Sequence, residues 1–177
     1  MVRELAPSGQ TWCMLVRDLT AHDLDQVVEL NDAAYPAVPI TAIGEMADLL
    51  RVAGFASAAV DPADESTVLG FVIGMRPGSG YASENFRYFQ SRGTNFLYVD
   101  RIVVNEATRG SGVGRMLYVS VFDLARVEGR AEVTCEVNLL PPNPESLAFH
   151  ARLGFERVGE QDTKNGSVRV ALLAAAV

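Results

Sequence analysis

The stretch with the clearest chemical meaning is a glycine run, Arg109-Gly110-Ser111-Gly112-Val113-Gly114. It lies between an extended apolar run, residues 96–104, and a helical pattern that starts near Val113 and continues to about residue 126. Glycines let the backbone turn tightly and approach a ligand, and the first N–H groups of a helix lack partners within it. Because the helix dipole is positive at this end, the corner suits an anion, and a pyrophosphate fits it.

Two other phosphate-binding patterns are excluded by the residues at their fixed positions. A dinucleotide fingerprint needs glycine at the sixth position of G-x-G-x-x-G, and this position is Arg115 counted from Gly110 and Leu117 counted from Gly112. A P-loop ends in Gly-Lys-Ser/Thr, and this triplet does not occur in the sequence. The glycine run therefore needs another interpretation.

The run matches the pattern Arg/Gln-x-x-Gly-x-Gly/Ala through Arg109, Gly112 and Gly114. This pattern resembles the acyl-CoA pyrophosphate loop of the GNAT superfamily of N-acetyltransferases. A second stretch, residues 143–155, is similar to the family's C-terminal segment in its Asn, Ala, aromatic pair and Gly-Phe. Since the two motifs stand in the family's order and at about its usual separation, the resemblance spans most of the chain, although the first half matches only by its general pattern.

The resemblance implies both a fold and a cofactor. The fold is the α/β (α+β) GNAT fold, a central, mixed and mostly antiparallel sheet of about seven strands with four helices, whose parallel strands four and five splay apart. Acetyl-CoA would enter the splay, with its pantetheine along the fourth strand and its pyrophosphate on the glycine run. The residues implied in binding it are Ile102, Val103, Val104, Arg109, Gly110, Ser111, Gly112, Val113, Gly114, Arg115 and Asn143.

The hydrophobic patterns predict elements in the order β-α-α-β-β-β-α-β-α-β-β. The expected strands cover residues 11–17, 55–60, 67–75, 96–104, 132–139, 155–158 and 167–174, and the expected helices cover residues 20–34, 41–53, 113–126 and 143–154. The segment from 77 to 94 is polar and aromatic, and a connection of this length is often functional or disordered. Three interpretations of it stay open: a cover over the substrate site, a contact in a homodimer, or plain packing onto the domain.

Acyl transfer to an amine needs a proton acceptor for the amine, donors for the developing oxyanion and a proton for the departing thiolate. A lysine-like amine has a reference pKa of about 10.4, so a carboxylate must help to remove its proton. Glu136, on the fifth strand, is the first candidate base, because Glu-Val before an Asn-led helix resembles N-terminal-amine acetyltransferases of the family. Asp100, on the fourth strand, is the second. Either carboxylate could instead be a solvated strand residue or the partner of an arginine such as Arg101 or Arg130.

His150 stands where the family usually carries a proton-donating Tyr. A protonated imidazole can donate a proton to the thiolate, whereas the bare nitrogen of a neutral imidazole only accepts. We predict a catalytic or thiol-contacting role for His150, with a buried structural histidine as the alternative. Tyr98 and Tyr118 are alternative hydroxyl groups, and Tyr118 also fits a packing residue. Asn143 also fits a helix cap, and Arg115 an ordinary solvated residue.

Composition limits the class of protein. With 177 residues, 49% of them apolar, the chain can bury one sizeable core, so we predict a single domain over residues 1–177 with 1–10 as an N-terminal extension. A net charge of −7 disfavours nucleic-acid binding and favours a cationic amine as partner. We see no signal sequence and no apolar run that could cross a bilayer, so we expect a cytoplasmic protein without a membrane partner. The two cysteines, Cys13 and Cys135, suggest small buried hydrophobes, and no zinc-type spacing indicates a metal site.

The sequence therefore predicts an acetyl-CoA-dependent N-acetyltransferase. It would transfer an acetyl or other acyl group to the primary amine of a small molecule or peptide, by direct attack in a ternary complex with fourth-strand N–H groups near Val103 polarising the thioester. The alternative is a non-catalytic acyl-CoA-binding regulatory domain that kept the loop and lost the Tyr. A third interpretation, an unrelated phosphate-binding α/β protein, is disfavoured by the motif at residues 143–155.

Overall fold

The computed structural model describes residues 4–5, 11–12 and 14–177. Its centre is a seven-stranded mixed sheet, which a two-stranded ribbon precedes along the chain. The ribbon strands are β1 Glu4–Leu5 and β2 Thr11–Trp12. The sheet strands are β3 Leu15–Asp18, β4 Phe55–Asp61, β5 Asp64–Met75, β6 Phe96–Val104, β7 Glu132–Leu140, β8 Glu156–Thr163 and β9 Val168–Ala176. Their order in space is β3-β4-β5-β6-β7-β9-β8, so the last strand of the chain lies between β7 and β8.

Five α-helices connect the strands in the described part of the chain. They are α1 Leu24–Ala33, α2 Ile43–Val52, α3 Glu84–Arg92, α4 Val113–Val127 and α5 Pro144–Arg152. Side-chain caps start two of them, because the Ser83 side chain accepts from the Phe86 N–H and the Asn143 side chain from the Ser146 N–H. Pro144 at the first position of α5 loses no hydrogen bond there, because that N–H has no partner in a helix.

The helices bury both faces of the sheet. Alternation along β6 sends Leu97 and Val99 to one face and Tyr98 to the other. The first face packs against α4 and α5 through residues such as Leu117. The second packs against α1, α2 and α3 through residues such as Phe86. Burying each such large side chain contributes about 1.5–3 kcal/mol, which fixes β6 at the centre of the molecule.

The sheet opens between β6 and β7. Their parallel pairing runs only from Phe96 opposite Glu132 to Val99 opposite Cys135. Both strands continue, β6 to Val104 and β7 to Leu140. Beyond Val99, β6 is paired with β5 alone and β7 with β9 alone. The structure therefore contains the splay that the resemblance implied, with one backbone edge of each strand unpaired inside it.

A β-bulge lies where the splay begins. Ile73 pairs with Arg101 but the next residue, Gly74, pairs with Val99, so Asp100 is an extra residue in β6. A bulge bends its strand and redirects side chains. Gly74 makes the bulge possible, because an added Cβ would lie 2.4 Å from the carbonyl oxygen of Tyr98 and 2.1 Å from Cζ of Phe55.

The fold class and the number of sheet strands are confirmed, whereas the predicted count of four helices was wrong. The additional helix is α3, inside the segment from 77 to 94, and its apolar contacts come from two phenylalanines among polar residues. The predicted first strand was also too long. Thr11 and Trp12 form one strand of the two-stranded ribbon, and the first strand of the sheet begins at Leu15. β8 extends to Thr163, because an edge strand with one solvated face tolerates polar residues that hide its pattern.

We expect Gly74→Ala to lower the free energy of unfolding by about 1–3 kcal/mol, because the new methyl group meets backbone and a packed ring. Gly44→Ala is the matched control. Gly44 is exposed in α2 with no described atom within 4 Å of an added Cβ, so the same change should leave stability unchanged or raise it by up to about 1 kcal/mol. Urea unfolding of both variants measures the difference, and equal effects would contradict this account of the bulge.

Candidate active site

The glycine run forms the corner between β6 and α4. Gly110 and Gly112 have φ values of 81° and 94°, a region that glycine occupies without strain. The Met116 N–H donates to the Gly112 carbonyl at 3.0 Å, so the N–H groups of Val113 and Gly114 precede the first hydrogen bond of the helix. No described atom lies within 4 Å of the position of an added Cβ on Gly110. Backbone donors beside open space at a helix N-terminus fit a pyrophosphate.

Two residues of this corner serve packing rather than ligand approach. An added Cβ on Gly114 would lie 3.1 Å from Cζ of Phe149 and 3.5 Å from Cγ2 of Val104, so this glycine lets α4 pack closely against α5 and β6. Val113 is 1% exposed and anchors the corner in the core. Only the backbone of these two residues is available to a ligand, while the Arg109 and Arg115 side chains are exposed.

The backbone proposed for pantetheine lies directly in front of this corner. Ile102, Val103 and Val104 pair with β5 on one side, and their other side faces the splay. The Val103 side chain is 4% exposed, which holds the strand in place from the core. The corner and the open edge of β6 are thus adjacent along the chain, as a ligand spanning both requires.

Glu136 lies on β7 just past the last pair of the parallel ladder. Its Oε2 accepts a hydrogen bond from the Tyr98 hydroxyl at 2.7 Å. Thr134 and Asn138 alternate with Val133, Cys135 and Val137 of the opposite core, so Glu136 faces the side of α1, α2 and α3. Glu136 as a whole residue is half-buried at the border of the splay.

Asp100 stands across the splay in a network of charged and polar groups. It accepts a short hydrogen bond from the Tyr81 hydroxyl and a second one, at 2.9 Å, from Nε of Arg101. Nη1 of Arg101 also donates to Oδ1 of Asn31 at 2.9 Å and to Oγ1 of Thr41 at 3.1 Å. The network joins the bulge to α1 and to the segment before α2. Asp100 is therefore the partner of Arg101, which the sequence left open as an alternative to catalysis.

The two carboxyl groups differ in the charge of the groups bonded to them. Burial raises the pKa of Glu136 to about 8, and the negative charge of Asp100 adds to the rise. The Tyr98 hydroxyl opposes it by donating to the anion. Asp100 has a cation beside it, whereas the groups bonded to Glu136 are neutral. The raised pKa brings the protonation of Glu136 closer to neutral pH than that of an ordinary carboxyl group.

His150 lies in a packed aromatic cluster on the other face of the sheet. It is 3% exposed, and its ring lies 5.2–5.3 Å from those of Tyr118, Phe149 and Phe155. Nδ1 is 2.7 Å from the Ser146 carbonyl oxygen, which only accepts, so Nδ1 carries the proton. Nε2 then accepts from the Tyr118 hydroxyl at 2.7 Å. Burial lowers the pKa of His150, so this neutral form persists and favours the structural alternative over proton donation.

The side chains of Tyr98, Tyr118 and Cys135 are all buried. Burial raises the pKa of Tyr98 and Tyr118 far above the ordinary value, and that of the Cys135 thiol likewise. Cys135 is a free, buried thiol, as expected for a small hydrophobe, while Cys13 lies outside the described residues. Asn143 caps α5 through Ser146, so the capping interpretation accounts for it without a ligand.

Sequence reasoning missed two polar residues that reach the carboxyl groups. The Tyr81 hydroxyl donates to Asp100, and the Asn85 side chain on α3 opposes the rise in the pKa of Glu136. A cap at Ser83, two phenylalanines three positions apart and a glycine after Arg92 are the signals that could have identified α3. A cavity of about 370 Å³ opens between α2 and residues 80–82, and Tyr81 and Arg101 are among its lining residues.

Comparison with known families identifies this architecture. The model of the acetyltransferase (GNAT) family matches residues 24–155, which include the glycine corner, both carboxyl groups and α5. The chain belongs to the GNAT family. No curated protein matched the sequence of this GNAT protein.

Solved GNAT structures share its fold over almost the whole chain. Ard1 from Thermoplasma volcanium has a TM-score of 0.73 at 18% identity, covering 93% of this chain and 97% of that one. The ribosomal-protein-S18-alanine N-acetyltransferase from Escherichia coli has a TM-score of 0.68 at 15% identity, covering 93% and 94%. The NatC complex bound to Gag peptide and CoA has a TM-score of 0.69 at 15% identity, covering 93% and 98%. Identities this low establish the fold alone.

Among the described helices, none combines the length and apolarity needed to span a bilayer.

We expect nitrogen NMR of the two histidines to report a neutral His150 with its proton on Nδ1. The titration midpoint of His150 should lie below the ordinary value of about 6.5, because burial lowers its pKa. His22 is exposed and serves as the reference signal in the same spectra. A His150 that becomes protonated at or above its ordinary pKa of about 6.5 would restore it as a proton donor.

Proposed function

We propose that this GNAT protein is an acetyl-CoA-dependent N-acetyltransferase that acts on a primary amine by direct attack in a ternary complex. The observation that carries the proposal is Glu136, a carboxyl group with a raised pKa that lies on β7 where the splay begins and accepts a hydrogen bond from Tyr98 of β6. A group poised to exchange a proton near neutral pH is what removal of an amine proton requires. We also propose that residues 1–177 act as one domain.

The cofactor side is assigned to the corner and to β6. N–H groups of Gly110, Gly112, Val113 and Gly114 would hold the pyrophosphate, and the open edge of residues 102–104 would pair with pantetheine. Bound acetyl-CoA supplies an activated acetyl group as a thioester. The family match and the open space beside Gly110 support this assignment.

The amine side is assigned to the face that carries the two carboxyl groups. Glu136 accepts the amine proton, directly or through water, while Tyr98 orients the carboxylate. Asp100, already bonded to Arg101 and Tyr81, contributes negative charge that attracts an ammonium ion and raises the pKa of Glu136. The acceptor is a small molecule or a peptide with a free amine, and the net charge of −7 favours a cationic one.

The second candidate is a non-catalytic acyl-CoA-binding regulatory domain. One observation favours it. His150, which stands where the family usually carries a proton-donating Tyr, is packed and neutral. Thiol release from acetyl-CoA, measured over a panel of amines, peptides and aminoglycosides, separates the two. Tight CoA binding without turnover of any acceptor would select the regulatory domain.

Replacing the base should affect turnover and spare cofactor binding. We expect Glu136→Gln to reduce kcat/KM about 100-fold or more, the usual contribution of a general base, with CoA affinity unchanged. In the wild type, kcat/KM should rise with pH through a midpoint near 8, because the carboxyl group must lose its proton before it can act. Glu132→Gln, four residues earlier on β7, is the control and should retain activity. Equal losses in the two variants would remove Glu136 from this role.

The two ends of α4 provide a matched test of the cofactor corner. Gly110 and Gly129 are both exposed, have φ values of 81° and 67°, and have open space around an added Cβ. Valine at either position should cost similar backbone strain, but only Gly110→Val obstructs the approach of a pyrophosphate. Calorimetry should show CoA affinity reduced about tenfold or more by Gly110→Val and unchanged by Gly129→Val. Unchanged affinity in Gly110→Val would refute the site assignment.

A further inference from the structure

The segment that joins α1 to α2 crosses the splay on the face of the sheet that these helices cover. This link, defined as residues 34–42, is attached to both strands that border the opening. At β7, Nδ2 of Asn138 donates to the Pro36 carbonyl oxygen at 3.1 Å. At β6, Nη1 of Arg101 donates to Oγ1 of Thr41 at 3.1 Å. Both strand residues lie beyond the end of the parallel ladder, so the link bridges the part of the sheet where β6 and β7 have separated.

The link lies on the same face as Glu136. Glu136 and Asn138 are two positions apart on β7, so their side chains lie on the same side of the sheet. The buried rings of Phe86 and Phe89 on α3 cover this face at the closed end of the ladder, where they pack on Tyr98. The link therefore covers the open end, and an acceptor that reaches Glu136 from this face passes beside it.

The link also exposes apolar side chains at this place. Tyr35 and Ile40 are each 64% exposed, and Leu140, two residues after Asn138, is 55% exposed. Binding sites for small molecules are lined mainly by apolar and aromatic side chains, with a few polar groups that orient the ligand. The border of the splay offers both kinds of group.

One guanidinium group orients the side chains that hold the link. Nη1 of Arg101 donates to Oδ1 of Asn31, so the NH₂ end of this amide is left to donate to the Pro39 carbonyl oxygen, at 2.8 Å. Nη1 also donates to the Thr41 hydroxyl, whose own proton goes to the same Pro39 oxygen at 3.0 Å. Two chains of hydrogen bonds thus run from Arg101 to the backbone of the link.

This network is buried, and its charges are paired. The side chains of Arg101 and Asp100 are 9% and 6% exposed and form an ion pair at 2.9 Å. Asn31 and Thr41 are buried as well. A buried network of paired donors and acceptors holds one geometry, because the loss of one member leaves the others unpaired where little water can replace it. Arg101 therefore fixes the link relative to β6.

We propose that Arg101 is a positioning residue for the acceptor: it holds the α1–α2 link over the splay, where the link forms one wall of the path from solvent to Glu136. The inference rests on the proposed function, in which an amine reaches Glu136. It gives Arg101 a part in the reaction beyond its ion pair with Asp100, and it makes Asn138 the second anchor of the link.

The first test is amide hydrogen exchange in the full-length, ligand-free protein. The signal is the protection of the residue-41 N–H, which donates to Oδ1 of Asp32 at 3.0 Å. Thr41→Val keeps the size of the side chain and removes the hydroxyl, so protection should fall about tenfold, as expected for one lost hydrogen bond. Thr41→Ser keeps the hydroxyl and should retain the protection. Arg101→Lys keeps a positive charge but lacks the guanidinium fork, so protection should fall at least as far.

Thr134→Val is the matched control. Thr134 is buried, and its hydroxyl donates to the Leu97 carbonyl oxygen at 3.3 Å within the closed part of the ladder. Urea unfolding corrects each variant for its global stability, and after this correction Thr134→Val should protect the residue-41 N–H as well as the wild type does. Unchanged protection in both Thr41→Val and Arg101→Lys would overturn the proposal. An equal loss in Thr134→Val would also overturn it, since the effect would then belong to the whole fold.

Steady-state kinetics supply the second test, with an acceptor taken from the amine panel. Arg101→Lys and Thr41→Val should raise the KM for the acceptor about tenfold while kcat and CoA affinity change little, because they remove binding rather than chemistry. Thr41→Ser should keep the KM of the wild type. Asn138→Ala, which releases the link from β7, should raise the KM in the same way.

Failure of this inference and failure of the proposed function give different results. An active enzyme whose acceptor KM is unchanged in Arg101→Lys would overturn the positioning role and leave the proposed function standing. Turnover of no amine by the wild type would refute the proposed function, while a loss of protection at residue 41 would still support Arg101 as the anchor of the link.

Discussion

The structure depends on one interruption of backbone pairing, the end of the parallel ladder between β6 and β7 at Val99 and Cys135. A continuous ladder would satisfy both strand edges and leave no backbone donors or acceptors for a ligand at the centre of the sheet. The bulge at Asp100 bends β6 at this point, and Gly74 permits it. The glycine corner, the open edge of β6 and both carboxyl groups all lie on the borders of this opening.

The opening of the sheet leaves two carboxyl groups where little water reaches them. The two groups differ in their hydrogen-bond partners. Asp100 is bonded to the guanidinium of Arg101, which in turn binds Asn31 and Thr41 from the α1–α2 region. Glu136 has hydrogen bonds from neutral groups, and burial raises its pKa to about 8. Neighbouring carboxyl groups in unlike environments take different tasks. Here Asp100 anchors the helices over the site through Arg101, and Glu136 is the carboxyl group to which we assign the proton transfer.

What the sequence predicted well was local in origin. The glycine corner, the Asn143–Pro144 start of α5 and the alternating strands are encoded by neighbouring residues, so their positions followed from spacing. The contacts of Asp100 with Tyr81, and of Glu136 with Tyr98, join residues 19 and 38 positions apart, and no local pattern reports them. α3 was missed for a related reason, because Phe86 and Phe89 form only a narrow apolar stripe that becomes informative when Tyr98 lies beneath it.

The exchange of the family's usual Tyr for His150 also acquires a physical explanation only in three dimensions. Tyr118 on α4 places its hydroxyl group 2.7 Å from Nε2 of His150, and the Ser146 carbonyl holds the proton on Nδ1. The Tyr118–His150 pair thus satisfies a buried phenol, which would otherwise cost about 1–3 kcal/mol for an unmade hydrogen bond. A ring nitrogen that already accepts, in a histidine that burial keeps neutral, has no proton to give at that atom. The chemistry that we propose for this protein therefore lies on the opposite face of the sheet, where the Tyr98 hydroxyl donates to Glu136.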